Sequence, residues 1–383
     1  MGLFDRPIKI GVLFSRTGLT SVMESSMADA TLFAIDEVNA AGGINGRELV
    51  PIHLDPAGDL TAYYYLAKQL LVEHGARIIF GCYMSSSRKA ALRAVDRQNA
   101  LLCYPAQYEG FEYSRNAIYF GAVPNQNSFQ LGEYLLRYIG KRFYMVGSDY
   151  IWPRESDRIM TEMVLQDGGE IAGRAYLKLD APRKAISGLI NDIKSRQPDV
   201  IFCNFVGQSI VRFYQAFAEA GLSSKVMPIA SLTTSETDIQ AMGCDVGAGH
   251  ITSATYFQSH ESVQNAACLE RYRRKVGGPV VTNMCWEAAY VQVLMIAEAL
   301  RAVNSDNVDD LRAAVLGTEF NAPQGRVRLD PSSAHAHVWP KIGRARDDGQ
   351  FDIVATYGRI APDPYLASFY RAPQDDRSVA AYI

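Results

Sequence analysis

Long hydrophobic runs are missing from this sequence, because no stretch approaches the roughly 20 apolar residues of a membrane-spanning helix. Basic charge is not in excess either, since 38 Lys and Arg face 41 Asp and Glu, for a net charge of −3. This charge balance carries no signature of a nucleic-acid-binding protein. We therefore expect neither membrane insertion nor direct binding to DNA or RNA.

The motifs of common enzyme classes are also absent. There is no G-x-S-x-G elbow, no P-loop, and no G-x-G-x-x-G at the start of the first helix. His335 and His337 could hold a metal, but no carboxylate or Cys nearby completes a ligand set, and we expect a solvated hairpin there. Glu109 or Asp149 could act as a base, yet a lone carboxylate without a nucleophile makes no reaction. We expect no enzyme activity, no cofactor and no metal site.

Cysteine is scarce, and its six residues are widely scattered without a CxxC pair. This pattern favours buried, reduced thiols over disulfides or a metal site. Residues 1–7 lead directly into an apolar run at 8–14, without the basic, apolar and small-residue order of a secretory leader. The pattern predicts a cytoplasmic location, or a periplasmic one if a leader has been removed.

The 383 residues are 48% hydrophobic and 21% charged, which indicates a globular protein large enough for two domains. Short apolar runs alternate with stretches of helical periodicity, the pattern of βαβ units. The alternation restarts after about residue 120, so the simplest prediction is two successive doubly wound sheets. Strands are predicted at 8–14, 49–54, 78–81, 101–104, 118–120, 144–147, 171–176, 200–204, 227–231 and 251–255, with a β-like tail from 327 to 354.

Ligands of open α/β sheets bind beyond the carboxyl ends of the strands, close to helix N-termini. In the first half, the loops in question carry Tyr83, Ser85 and Ser86, then Tyr104 and Ala106. Serine hydroxyls and free backbone N–H groups at the start of a helix can donate hydrogen bonds to a carbonyl or an anion. Tyrosine adds an apolar ring surface and one hydroxyl that can donate and accept. A plain serine N-cap and aromatic packing between lobes are the alternatives for these two loops.

The second half offers matching residues after its own strands. Asp149, Tyr150 and Trp152 follow one predicted strand, and Ser231 and Thr233 end another. A helix cap near Glu236 remains the alternative for the last loop. Four such loops, two from each half, predict a ligand-binding cleft between two lobes.

These loops also carry a resemblance to a known family. The matching strings include GCYMS at 81–85, CYP at 103–105, YEGFEYS at 108–114, GSDY at 147–150, ASLTTSE at 230–236, WEAAY at 286–290 and APQG at 322–325. The chain resembles the type I periplasmic-binding-protein family. Within it, the chain is most similar to the branch of urea and short-chain amide receptors, which includes the amide-sensing negative regulators of aliphatic amidase operons. Residues 106 and 107, Ala and Gln, depart from the Thr-Pro of the amide sensors and are closer to the urea receptors.

The resemblance implies two Rossmann-like lobes joined by three crossovers near 121–128, 249–255 and 326–337. One lobe would comprise 1–124 plus 255–328, and the other 125–254 plus 329–383. It further implies that Tyr83, Ser85, Tyr104, Tyr150 and Thr233 form the pocket.

The expected function is that of a receptor closing on a small neutral amide or urea-like molecule. As an intracellular sensor, it would release an RNA-binding antiterminator protein when the amide binds. The alternative is the solute-binding receptor of an ABC transporter for urea, short-chain amides or branched-chain amino acids, with an ABC permease as partner. A homodimer is left open.

Overall fold

The computed structural model describes residues 6–371. In chain order, the described strands are β1 Ile8–Leu13, β2 Leu49–His53, β3 Ile78–Gly81, β4 Leu101–Tyr104, β5 Ala117–Tyr119, β6 Arg142–Ser148, β7 Glu170–Leu177, β8 Val200–Asn204, β9 Ile229–Ser231, β10 Ile251–Ala254, β11 Glu319–Ala322, β12 Gly325–Leu329, β13 Ala336–His337, β14 Lys341–Ala345 and β15 Phe351–Thr356. The described α-helices are α1 Ser21–Ala40, α2 Leu60–Val72, α3 Ser85–Arg97, α4 Ser128–Tyr138, α5 Ile151–Gln166, α6 Arg183–Arg196, α7 Gln208–Glu219, α8 Glu236–Met242, α9 Cys244–Gly247, α10 Val263–Val276, α11 Met284–Val303, α12 Val308–Val315 and α13 Ala367–Arg371.

Two sheets form the centres of two lobes. The first has the order β2-β1-β3-β4-β5, and all its pairs are parallel. The second has the order β15-β14-β10-β9-β8-β6-β7, in which β14 and β15 are antiparallel additions to a parallel set. Strands such as β3 and β8 are buried along their whole length because helices cover both sheet faces. The predicted α/β fold with two doubly wound lobes is confirmed.

The chain passes between the sheets three times, through residues 120–127, 255–262 and 338–340. The first passage agrees with the predicted crossover at 121–128. The second prediction was wrong, because 251–254 are strand β10 of the second sheet and the chain leaves only afterwards. The third was also wrong, because 326–337 form the β12–β13 pairing of a small antiparallel sheet. Alternating apolar residues indicate a strand but do not say which sheet it joins.

The proposed division at 124, 254 and 328 stays a prediction, and its residues 1–5 and 372–383 lie outside the described part of the chain. Near the predicted boundary at 328, strand β13 pairs with β12, and Tyr119 of the first sheet forms a parallel bridge with His335.

Helix α2 was not predicted from the sequence. It begins at Leu60, and the carboxylate of the preceding N-cap residue, Asp59, accepts hydrogen bonds from the backbone N–H groups of Thr61 and Ala62.

All six cysteines are unpaired, and all except the half-buried Cys244 are buried, in keeping with the predicted reduced thiols. Between residues 6 and 371, no helix is both long and apolar enough to cross a membrane.

Candidate functional site

Loops from both lobes meet at the carboxyl ends of the strands and enclose a cleft. The space between these loops measures about 220 Å³, a value that includes solvent at the open side of the cleft. It is lined by Tyr83, Ser85, Gln107, Tyr150, Trp152, Val206 and Thr233. Five of these residues were predicted from the sequence, and the structure brings them together across the cleft. Their role in ligand binding stays a prediction.

Ser85 forms the floor of the cleft on the first lobe. It opens helix α3, and its hydroxyl donates to Glu109 Oε2 at 2.5 Å. Arg88, one turn further along the helix, donates from Nη1 to the same hydroxyl at 3.3 Å. Arg88 is fully buried and is neutralised by Glu109 and by Glu112, whose Oε1 lies 2.7 Å from Arg88 Nε. The serine hydroxyl is therefore held by a buried ion-pair cluster.

Tyr83 and Tyr150 face each other across the cleft from opposite lobes. Neither hydroxyl has a hydrogen-bond partner within the described chain, so both can bond a ligand. Burial raises the pKa of each phenol well above 10, which keeps both hydroxyls neutral and able to donate. The two rings supply apolar walls as well.

Tyr104 lies behind this wall and does not line the cleft. Its ring is fully buried, and its hydroxyl donates to the carbonyl of Tyr83. The guanidinium of Arg88 lies 4.7 Å from the centre of the ring. Tyr104 thus supports the backbone that carries Tyr83, and the structure does not place its hydroxyl where the resemblance implied.

On the second lobe, Thr233 reaches the cleft from the loop after β9. Its hydroxyl donates to the carbonyl of Phe205 at 2.9 Å and lies 3.1 Å from Ser231 Oγ. Ser231 Oγ accepts from the backbone N–H groups of Thr233 and Thr234. Ser231 is itself fully buried outside the lining, so it orders the loop that presents Thr233.

Three further predicted residues also lie outside the lining. Asp149 is exposed, and its carboxylate pairs with Arg154 at 2.7 Å. Ala106 is buried beneath the first crossover, where a Cβ added to Gly121 would lie 2.1 Å from its carbonyl carbon. Ser86 is half-buried, with an Oγ that has no hydrogen-bond partner in the described residues.

The sequence reasoning did not select two lining residues, Gln107 and Val206. Each follows a strand, β4 and β8 respectively, in a loop where ligands were expected. Their position in the loops was the signal that could have identified them. The prediction favoured hydroxyl-bearing and aromatic residues, so it passed over an amide and an aliphatic side chain.

The expected solvated pair at His335 and His337 was wrong. His335 is buried, stacks on Tyr119 with ring centres 4.3 Å apart, and lies 2.6 Å from the hydroxyl of Tyr108. Burial lowers the pKa of His335 to about 4, so the ring is neutral. Within residues 6–371, no group of three or more His, Cys, Asp or Glu is arranged to hold a metal.

None of the cleft-lining side chains carries a charge at neutral pH. The nearest carboxylate behind the wall, Glu109, is already paired with Arg88 and Lys89. Glu236 and Asp238 are buried in the first turn of α8, where Glu236 accepts from Gln258 N and Asp238 from Ser235. The cleft therefore offers neutral donors and acceptors between aromatic walls.

The family model described as "Periplasmic binding protein domain" matches residues 8–371. The chain belongs to this periplasmic binding protein family. The match covers both lobes and all three crossovers, so the two-lobed, type I architecture is that of a ligand-binding receptor.

Several similar proteins are named as binding proteins. The chain is 23% identical over 305 residues to "Leu/Ile/Val-binding protein homolog 6" of Brucella melitensis, covering 77% of each chain. It is 22% identical over 329 residues to the leucine-, isoleucine-, valine-, threonine- and alanine-binding protein of Pseudomonas aeruginosa, covering 84% of this chain and 86% of that one. A solute-binding protein of an ABC transporter from Rhodopseudomonas palustris HaA2, solved with p-hydroxybenzoic acid, superimposes with a TM-score of 0.86 at 20% identity. That alignment covers 95% of this chain and 100% of the other.

These likenesses favour the transporter alternative over the amide-sensing regulator. They support neither the amide and urea branch nor an antiterminator partner. One match to an enzyme, limonene hydroxylase of Geobacillus stearothermophilus, spans 113 residues, only 30% of this chain and 21% of that protein. The binding proteins named above match 77% or more of this chain.

Proposed function

We propose that this protein is the solute-binding receptor of an ABC transporter and that it closes on a small, neutral, polar molecule of the urea or short-chain amide class. The observation that carries the proposal is the uncharged, hydrogen-bonding lining between aromatic walls, contributed by both lobes. The receptor relatives support the transport role.

An uncharged lining argues against α-amino acids. A buried ammonium needs a carboxylate partner, and a buried carboxylate needs strong donors or a cation. Asp149 is exposed and paired with Arg154, whereas Glu236 and Asp238 have their own buried partners. Arg88 is enclosed behind Ser85 and bound to two glutamates, so it is not free to receive a carboxylate ligand.

The contacts between the lobes and the partners of Ser85 favour a receptor that closes on its ligand over an enzyme. Hydrogen bonds already cross the cleft edge, from Gln208 N to the carbonyl of Leu19 at 3.2 Å and from Asn283 Nδ2 to Thr237 Oγ1 at 2.8 Å. The hydroxyl of Ser85 is bound to a carboxylate and an arginine, with no histidine beside it to act as a general base. We therefore propose binding without chemistry.

A ligand screen tests this proposal. Thermal shift followed by calorimetry would compare urea, acetamide and propionamide with leucine, isoleucine and 4-hydroxybenzoate, since a ligand that binds only the native state raises its apparent stability. We expect the neutral amides or urea to bind, and the charged compounds to bind at least about tenfold more weakly, a difference of one buried polar contact. Binding of leucine or isoleucine without a response to any amide or urea would refute it.

The transport role has its own test. We expect the protein outside the cytoplasmic membrane of its native cells and in a complex with an ABC permease. Cell fractionation and affinity purification from native membranes would check both points. A cytoplasmic protein that co-purifies with an RNA-binding antiterminator would instead establish the amide-sensor alternative.

A further inference from the structure

The direction of the hydrogen bonds at Ser85 is determined by its partners. A serine hydroxyl has one hydrogen and two lone pairs, whereas an ionised carboxylate only accepts and a guanidinium only donates. Ser85 must therefore give its hydrogen to Glu109 Oε2, and it receives one from Arg88 Nη1. What remains for the cleft is a single lone pair, so Ser85 can accept from a ligand but cannot donate to it.

Glu109 is fixed in position by the partners of its two oxygens. Its Oε1 faces two cations, at 3.5 Å from Arg88 Nη2 and 3.9 Å from Lys89 Nζ, while its Oε2 faces Ser85. Arg88 is fixed in turn, because its guanidinium lies 4.3 Å from the centre of the Tyr108 ring. It also bonds Glu112 through two nitrogens. The carboxylate of Glu109 therefore cannot turn without breaking contacts of this buried cluster.

Thr233 repeats the arrangement on the other lobe. A carbonyl oxygen only accepts, so the hydroxyl hydrogen of Thr233 goes to Phe205. The Ser231 hydroxyl, which takes two backbone N–H groups, has its own hydrogen available for Thr233 Oγ1. One lone pair of Thr233 is left for the cleft.

We propose that Glu109 is a positioning residue that sets ligand specificity: by holding the hydrogen of Ser85, it makes the cleft select ligands that bring N–H donors. With Thr233 accepting from the opposite lobe and the Tyr83 and Tyr150 hydroxyls free to donate to a carbonyl, the complementary ligand is a primary amide or a urea. A carboxylate of the same shape has no hydrogen for Ser85 or Thr233. This inference rests on the proposed function and deepens it.

The substitution Glu109→Gln tests the inference directly. Arg88 and Lys89 require an acceptor on their side, so the amide oxygen of the new side chain takes the place of Oε1 and its NH2 group faces Ser85. The hydroxyl hydrogen of Ser85 is then released and can be donated into the cleft. Calorimetry would measure the ratio of acetamide to acetate association constants. We expect that ratio to fall at least about tenfold, the worth of one buried hydrogen bond gained and one lost.

Glu112→Gln is the matched control. Glu112 pairs with Arg88 and bonds the Tyr119 hydroxyl, but it has no hydrogen bond to Ser85. The control removes the same charge from the same cluster, and the acetamide-to-acetate ratio should stay within about threefold of the wild-type value. An equal fall in both variants would assign the effect to charge alone and overturn the inference.

A second variant keeps the inference testable if Glu109→Gln does not fold. Ser85→Ala removes the acceptor, so it should weaken acetamide binding while leaving acetate binding nearly unchanged. A wild-type protein that binds neither acetamide nor urea refutes the proposed function itself. A wild-type protein that binds them, together with a Glu109→Gln variant of unchanged ratio, refutes only the role of Glu109.

Discussion

Gln107 of the first lobe donates a hydrogen bond from Nε2 to the carbonyl of Leu232 in the second lobe, at 2.7 Å. Gln107 also lines a second pocket beside the crossovers, which measures about 260 Å³ with open solvent included and is also lined by Asn127 and Thr255. One side chain therefore belongs to the ligand cleft, the closed contact between lobes and the crossover region. Ligands drive such a protein toward closure only through higher affinity for the closed state.

We expect Gln107→Leu to weaken urea or acetamide binding about tenfold or more, because the cross-cleft hydrogen bond is lost and the closed state becomes less favourable. Titration calorimetry measures the affinity, and small-angle scattering measures the degree of closure. Gln98→Leu, at an exposed position after α3, is the control and should bind normally. Wild-type affinity in the Gln107 variant would show that this bond does not stabilise closure.

The substitutions Tyr104→Phe and Tyr83→Phe should distinguish a tyrosine that stabilises the fold from one that binds the ligand. Removing the Tyr104 hydroxyl leaves the buried carbonyl of Tyr83 unpaired, so the free energy of unfolding should fall by about 1–3 kcal/mol. Removing the Tyr83 hydroxyl breaks no bond within the described chain, so stability should hold while ligand affinity falls. Thermal denaturation without ligand measures stability and calorimetry measures affinity, and the two measurements on both variants check the pair. The reverse pattern, with Tyr83→Phe unstable, would contradict this assignment.

Glu236 should make stability depend on pH. Burial raises the pKa of this carboxyl from 4.5 to about 8 in the folded protein. The folded state therefore binds the proton more tightly, and this contribution to stability is present in full below pH 4.5 and lost as the pH rises through 8. The slope in that window is at most about 1.4 kcal/mol per pH unit for one group.

Denaturation of the wild type at pH 6.5 and pH 8.5 should show lower stability at the higher pH. Glu236→Gln should reduce the difference, because a neutral amide replaces the titrating group. The exposed Glu73 offers a control variant, Glu73→Gln, that should retain the full difference. If the stability of Glu236→Gln depended on pH as strongly as that of the wild type, this carboxyl would not be the cause of the pH dependence.

Trp152 should report ligand binding. Its indole lines the cleft and is buried in the closed structure, whereas an open cleft would expose it to water. We expect tryptophan emission to change on titration with urea or acetamide, and we expect that change to disappear in Trp152→Phe. The other two tryptophans, Trp286 and Trp339, do not line the cleft. A full emission change in the variant would place the signal elsewhere.

The core strands were predictable because their determinants are local. Residues 78–81 and 101–104 were predicted to the residue, since each is a short apolar run between polar segments that a parallel sheet buries on both faces. The rule that ligands bind at strand ends also selected most of the cleft lining. Helix α2 escaped because its three consecutive tyrosines, residues 63–65, obscure the helical period.

What the sequence determined by itself was the alternation of strands and helices, the two-lobed class and the loops that face the cleft. Only the tertiary structure decided that the chain changes sheet after His337, that Asp149 turns to the surface, and that His335 is buried against Tyr119. It also decided that the hydrogen of Ser85 belongs to Glu109, which lies 24 residues away in sequence. Hydrophobic periodicity depends on neighbours along the chain, whereas burial, charge pairing and hydrogen-bond direction depend on neighbours in space.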